Sequence, residues 1–121
     1  MHSSVKLTER ILLYCKDIEE TMTESGANID DFMNNWKYQH NCVFCIEQIG
    51  ESVKKIEEQS PDLTKKYPNI YWKWIVGMRD IIADDHLGIN LRKIWIFIEE
   101  ELPEMKKACE ELLRELKKTN S

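Results

Sequence analysis

The sequence predicts an all-α protein, an antiparallel up-and-down helical bundle, on three observations. Apolar residues recur every three or four positions in four long stretches. No stretch alternates apolar and polar residues as a half-buried strand does. Gly, Pro and Asn fall between the stretches, where helices stop and start. Without internal repeat, linker or low-complexity segment, and with 121 residues, the chain suits one sizeable core, so residues 1–121 are read as a single domain.

The first stripe is Leu7, Ile11, Tyr14, Cys15, Ile18 and Met22, with Ser3 or Ser4 available as its cap. It should stop near Ser25-Gly26, where glycine accepts the left-handed turn of a helix C-terminus. Asn28, followed by Asp30 and Asp31, reads as an N-cap with an acidic first turn, leading through Phe32 and Met33 toward a long second element. From about Trp36 to Gln59, Val43, Ile46, Ile49, Gly50, Val53 and Ile56 face one way, and Lys54, Lys55, Glu57 and Glu58 the other. Gly50 costs about 1 kcal/mol relative to Ala in a helix interior, which suits a close approach by another helix. Ser60-Pro61 ends this helix, because the residue before proline is pushed out of the α region.

Between Pro61 and Asn69 there is room for a short helical turn before Pro68 interrupts again. A third helix is predicted from near Tyr71, carrying Trp72, Ile75, Met78 and Ile82 inward and stopping at Gly88. Asn90 can cap the last helix, whose stripe is Leu91, Ile94, Trp95, Ile98, Leu102, Met105, Cys109, Leu112 and Leu116. Pro103 must kink or restart it. Lys117 to Ser121 reads as a frayed tail.

The formal charge of −5 opposes strong, sequence-independent attraction to nucleic acid. Such a role requires a local basic site, for which Lys73, Arg79, Arg92 and Lys93 are available. No apolar run approaches the roughly 20 residues that cross a bilayer, and Met1-His2-Ser3-Ser4 lacks the regions of a signal peptide. A cytoplasmic protein is expected, with Cys15, Cys42, Cys45 and Cys109 as reduced thiols packed like small apolar side chains.

Cys42 and Cys45, with His40 nearby, have the i, i+3 spacing of zinc thiolates, but no second Cys/His pair completes four ligands, so packed thiols beside a surface histidine are the simpler reading. Tyr71, Trp72 and Trp74 suit either a base-stacking platform or core and interface packing. Trp36, Trp72 or Trp74, if exposed, would form an apolar patch that a second copy of the chain could cover. Glu99, Glu100 and Glu101 spread around a helix and read as a solvated face. The segment from Gly77 to Asn90 differs in packing an arginine, several carboxylates and a histidine into one helix end. Arg79 and His86, seven residues apart, differ in a continuous helix by only about 20° in direction and about 10 Å in height. A guanidinium for a phosphate and an imidazole that titrates near neutrality are the parts of a metal-free phosphodiester cleavage. An ordinary surface pair is the alternative.

Gly77-Met78-Arg79-Asp80, then Asp85, Gly88-Ile89-Asn90, Ile94-Trp95 and Leu102-Pro103-Glu104, resemble the signature of HepT-type HEPN proteins. Ile49-Gly50-Glu51 and the stretch from Tyr67-Pro68 to Trp72 are similar in order and spacing, so the resemblance runs from about Lys6 to Leu116. It implies a homodimeric HEPN-like bundle that cleaves RNA through an R-x4-H-x-Y motif, without cofactor or metal. It also implies an MNT-type nucleotidyltransferase antitoxin that silences the toxin by AMP transfer to the motif tyrosine. On this chain Arg79 takes the phosphate-contacting position, in a cleft shared by two subunits. The catalytic histidine position falls on Asp84 and the modified tyrosine position on His86.

An aspartate, with a reference pKa of about 3.9, is a weak base at neutral pH and repels the phosphate. His86 can take the imidazole role, because R-x6-H lies within the broader spacing of HEPN nucleases. Tyr67 and Tyr71 lie upstream of the motif, so silencing needs a route other than the tyrosine switch. Two readings follow: an RNA endonuclease toxin using Arg79 with His86 or Asp84, and a catalytically weakened HEPN protein that dimerises and binds its nucleotidyltransferase partner. A plain helical interaction domain is the third.

Overall fold

The structure is a computed structural model; it describes residues 3–24, 26, 28–70, 72–84 and 91–119, with the side chains of 79–84 and 119 outside that description. Its elements are α1 (Ser4–Glu24), α2 (Ile29–Asn34), α3 (Trp36–Gln59), α4 (Pro61–Lys65), α5 (Trp72–Asp84), α6 (Leu91–Ile96), a π turn (Phe97–Glu101) and α7 (Leu102–Thr119). Among the described residues there is no strand, and no helix is long and apolar enough to cross a membrane.

Side-chain pairs fix the directions of the long helices. Arg10 donates to Gln48 at 2.8 Å and Asn41 to Asp17 at 3.3 Å, so α1 and α3 run antiparallel. Lys106 meets Glu19 at 2.7 Å while Cys109 lies beside Cys15 one turn on, so α7 runs antiparallel to α1. On the other flank of α3, Lys54 and Glu57 share a cavity of about 300 Å³ with Val76 and Lys73 of α5. The sequence of packing is thus α7, α1, α3, α5, an antiparallel helical bundle with the core between them.

The predicted stripes supply that core: Leu7, Ile11, Cys15, Ile18, Ile46, Ile49, Val53, Ile75, Met105 and Cys109 are each at most 2% exposed. Gly26, at φ +74°, ends α1 in the left-handed turn expected of it. Asn28 caps α2 as predicted, its Oδ1 accepting from the Asp30 N–H at 2.7 Å. The chain does not then run straight into one long helix. Extended Asn35 (φ −123°) ends α2 and starts α3, its Oδ1 accepting from the N–H groups of Lys37 and Tyr38 at 3.0 and 3.4 Å. Gln39 donates back to the carbonyls of Phe32 and Met33, which locks the corner and leaves Phe32 fully buried against Trp95.

Pro103 has a different consequence from a simple kink or restart. The helical path is continuous from Leu91 to Thr119, but its turns widen over Phe97–Glu101, and the Leu102 N–H bonds the Phe97 carbonyl five residues back. A proline ring clashes with the carbonyl four residues before it, and the extra residue of a π turn moves that carbonyl away. Ile82 lies in α5 with its side chain undescribed, and the proposed stop at Gly88 and cap at Asn90 lie outside the described residues.

Candidate functional site

The signature segment begins on α5, and the first half of that helix is firmly held. Trp72, Ile75 and Met78 form its inward stripe, at 8%, 1% and 2% exposure. The Trp72 Nε1–H donates to the Tyr67 carbonyl at 3.2 Å, which ties the helix start to the preceding connector. Arg79 follows buried Met78 directly, and the helix continues without a break to Asp84. Five residues apart on one helix, Arg79 and Asp84 occupy positions about 140° apart around the axis and about 7.5 Å apart along it. The backbone thus brings the two onto one element while separating them around it. His86 lies outside the described residues, as do Asp85 and Tyr71.

Of the other basic candidates, Lys73 is exposed near the start of α5, and Arg92 and Lys93 are exposed at the start of α6. The tryptophans divide. Trp36 is 62% exposed, packs edge-on against exposed His40 and lies beneath the Lys37 ammonium. Trp74 is 38% exposed and leans on fully buried Phe97, with ring centres 5.5 Å apart. Trp72 is core, so it leaves the apolar patch that the three could have formed. Phe44 and Leu13 join the exposed apolar residues, with Tyr14 edge-on to Phe44 at 5.9 Å.

All four cysteines are free and buried. Burial, reinforced by the neighbouring Asp17 carboxylate, pushes the Cys42 and Cys45 thiols up to about 12. Burial raises Cys109 to about 12 and raises Cys15 as well. Neutral, enclosed thiols are poor nucleophiles and poor metal ligands. Among the described residues no group of three His, Cys, Asp or Glu side chains is arranged to hold a metal ion. Glu99 and Glu100 are exposed on the π turn and Glu101 is half-buried.

Sequence reading missed a groove of about 610 Å³ between the end of α3, α4, the connector after it and the start of α5. It is lined by Trp72 and Trp74 together with Lys65 and Lys73. The sequence signals were the aromatic cluster with Trp72 and Trp74, the basic candidate Lys73, and Pro61 and Pro68, which bend the connector over the α5 N-terminus.

A family model described as "Ribonuclease HepT-like" matches residues 11–112. "Putative RNase MJ0125" of Methanocaldococcus jannaschii is 34% identical over 106 residues, covering 88% of this chain and 87% of that one. "Putative RNase TTE0752" of Caldanaerobacter subterraneus is 33% identical over 109 residues, 90% and 93% of the two chains. "Probable ribonuclease HepT" of Thermococcus cleftensis is 30% identical over 83 residues, 69% and 73% of the two chains. No solved structure gives a significant match.

Proposed function

The chain belongs to the HepT-like ribonuclease family, and on that premise we propose that it is the RNA-cleaving toxin of a HEPN/MNT-type toxin–antitoxin pair, neutralised by a nucleotidyltransferase antitoxin. It acts in the cytoplasm as a homodimer of single-domain chains, residues 1–121, and needs no metal or cofactor. The observation that carries this reading is the family match across residues 11–112, with Arg79 on an unbroken helix whose first half is anchored in the core.

The proposed chemistry is an internal transesterification. The ribose 2′-hydroxyl attacks the adjacent phosphorus while His86 takes its proton; an aspartate, as at position 84, is by reference values a weaker base than an imidazole. The Arg79 guanidinium donates to the non-bridging oxygens and offsets the charge that builds on them. The bond from phosphorus to the 5′-oxygen breaks, that oxygen takes a proton, and the products are a 2′,3′-cyclic phosphate and a 5′-hydroxyl.

Labelled RNA incubated with purified protein in EDTA tests this directly. Cleavage by the parent chain, abolished in Arg79→Ala and His86→Ala, is the expected result; cleavage retained by Arg79→Ala would overturn it. A second reading is favoured by Asp84 standing where the family motif has histidine. There the chain is a weakened nuclease that dimerises and binds its nucleotidyltransferase partner. It predicts little cleavage until Asp84→His restores an imidazole.

A further inference from the structure

The groove at the start of α5 is not part of the Arg79 segment, and its lining is unlike the rest of this acidic surface. Its wall is apolar and aromatic, built from Trp72, Trp74 and Ile70. Its charged residues are two ammonium groups, Lys65 and Lys73, against one carboxylate, Glu57. On a chain of net charge −5 this is a local reversal of sign. Its volume of about 610 Å³ falls in the range of small-ligand pockets, roughly 300–1,000 Å³.

The indoles are held in place. Trp72 is fixed by its hydrogen bond to the Tyr67 carbonyl at 3.2 Å, and Trp74 by its ring contact with Phe97 at 5.5 Å. Rigid aromatic walls beside mobile cations are what an unpaired nucleotide recognises, its base stacking on an indole and its phosphate reaching an ammonium. Lys65 has only a long, exposed pairing with Asp62 at 3.8 Å, and no ion pair involves Lys73 among the described residues. Both ammonium groups are therefore open to a phosphate.

Position connects the groove to the reaction proposed above. Trp72 of the groove wall and Arg79 are seven residues apart on α5, about 20° apart in direction and about 10 Å along the axis. A single strand held in the groove would bring a phosphate one or two nucleotides away to the level of Arg79. Because every base has a face that stacks, the groove requires an unpaired nucleotide beside the cut and tolerates any base there.

We infer that the groove formed by Trp72, Trp74, Lys65 and Lys73 is a subsite for one unpaired nucleotide of single-stranded RNA, flanking the scissile phosphate. This inference rests on the ribonuclease reading and adds to it the form of RNA bound and the residues that hold the flanking nucleotide.

The probe is a fluorescein-labelled, fully 2′-O-methylated RNA octamer, which cannot undergo attack by its own 2′-hydroxyls. Its affinity is measured by anisotropy, and its footprint by the indole N–H resonances of the four tryptophans. Binding that shifts the Trp72 and Trp74 resonances, leaves Trp36 unmoved and weakens about tenfold in Lys73→Glu and Lys65→Glu is expected. Trp74→Ala should weaken binding similarly, and its melting curve shows whether the fold is kept; the lysine variants, both at exposed positions, carry the test if it is not. Binding without these resonance shifts, or unchanged in both lysine variants, overturns the subsite, as does no binding at all. Loss of EDTA-resistant cleavage in Arg79→Ala is scored separately, so the nuclease reading can stand while the subsite falls.

Discussion

Alkali should unfold this protein through its buried thiols. Cys42, Cys45 and Cys109 are at most 1% exposed, and burial first, then the nearby carboxylates of Asp17 and Glu110, lift them from 9.0 to about 12. Cys15 is raised by burial and by its neighbours Cys109 and Glu19. A folded pKa above the unfolded value means the contribution to stability is complete below pH 9 and is lost as pH rises toward 12. Over that interval each thiol that ionises only in the unfolded chain removes about 1.4 kcal/mol per pH unit. The four together remove about 5–6 kcal/mol per pH unit, against a typical stability of about 5–15 kcal/mol, so unfolding is expected between roughly pH 10 and 12. Urea melts by circular dichroism from pH 8 to 11 give the slope, and Cys45→Ala should reduce it by about 1.4 kcal/mol per pH unit. A thiol-reactive chromophore at pH 8 gives the accessibility, with labelling at least about a thousandfold slower in the native protein than in urea. A slope that Cys45→Ala leaves unchanged, or native labelling as fast as unfolded, would refute the reasoning.

Four other expectations follow from single contacts. Asn35→Ala removes the acceptor for the Lys37 and Tyr38 N–H groups and should destabilise by about 1–2 kcal/mol in urea melts, with Asn35→Asp retaining most of it. Phe97→Ala empties a fully buried site and should cost about 3–5 kcal/mol, whereas Phe44→Ala, at a half-exposed position, should cost about 1 kcal/mol or less in the same assay. Gly77→Ala should stabilise α5 by about 0.5–1 kcal/mol in thermal melts, because a Cβ there meets nothing within 4 Å. Lys106 is raised by its hydrogen bond to Glu19, so that contribution is present below the unfolded lysine pKa and lost above it. A double-mutant cycle of Lys106→Met with Glu19→Gln should give under about 1 kcal/mol at pH 7 and fall in high salt, since both side chains are partly exposed.

Helical spacing carries direction within one helix, and that much of the fold was legible. The stripes through Ile11, Ile46 and Met105 were read correctly because residues three or four apart share a face whatever lies opposite. The corner at Asn35 was not legible, since no glycine or proline marks it and the bonds that close it, from Gln39 back to the α2 carbonyls, join two elements. Pro103 announced a disturbance without its form, because a kink and a π turn relieve the same clash and packing decides between them. The Arg79 segment stands out in the sequence because it is short and local, and its role is the one proposed above. Of the groove beside Trp74 only the indoles and Lys73 stand out in the sequence, because Lys65 joins them only after the Pro61–Ile70 connector folds over α5. The same non-local step sorted the tryptophans: Trp72 and Trp74 sit two residues apart, yet the bond to Tyr67 turns one inward, and the π turn leaves the other resting on Phe97 with an open face. A shift in the π turn would therefore reach the groove through Phe97 and Trp74 before it reached Trp72, which is held from the connector side. Phe97→Leu, which trims the ring but keeps an apolar side chain, should move the Trp74 indole resonance and leave that of Trp72 in place. Equal movement of both would mean that the two walls of the groove are held as one unit.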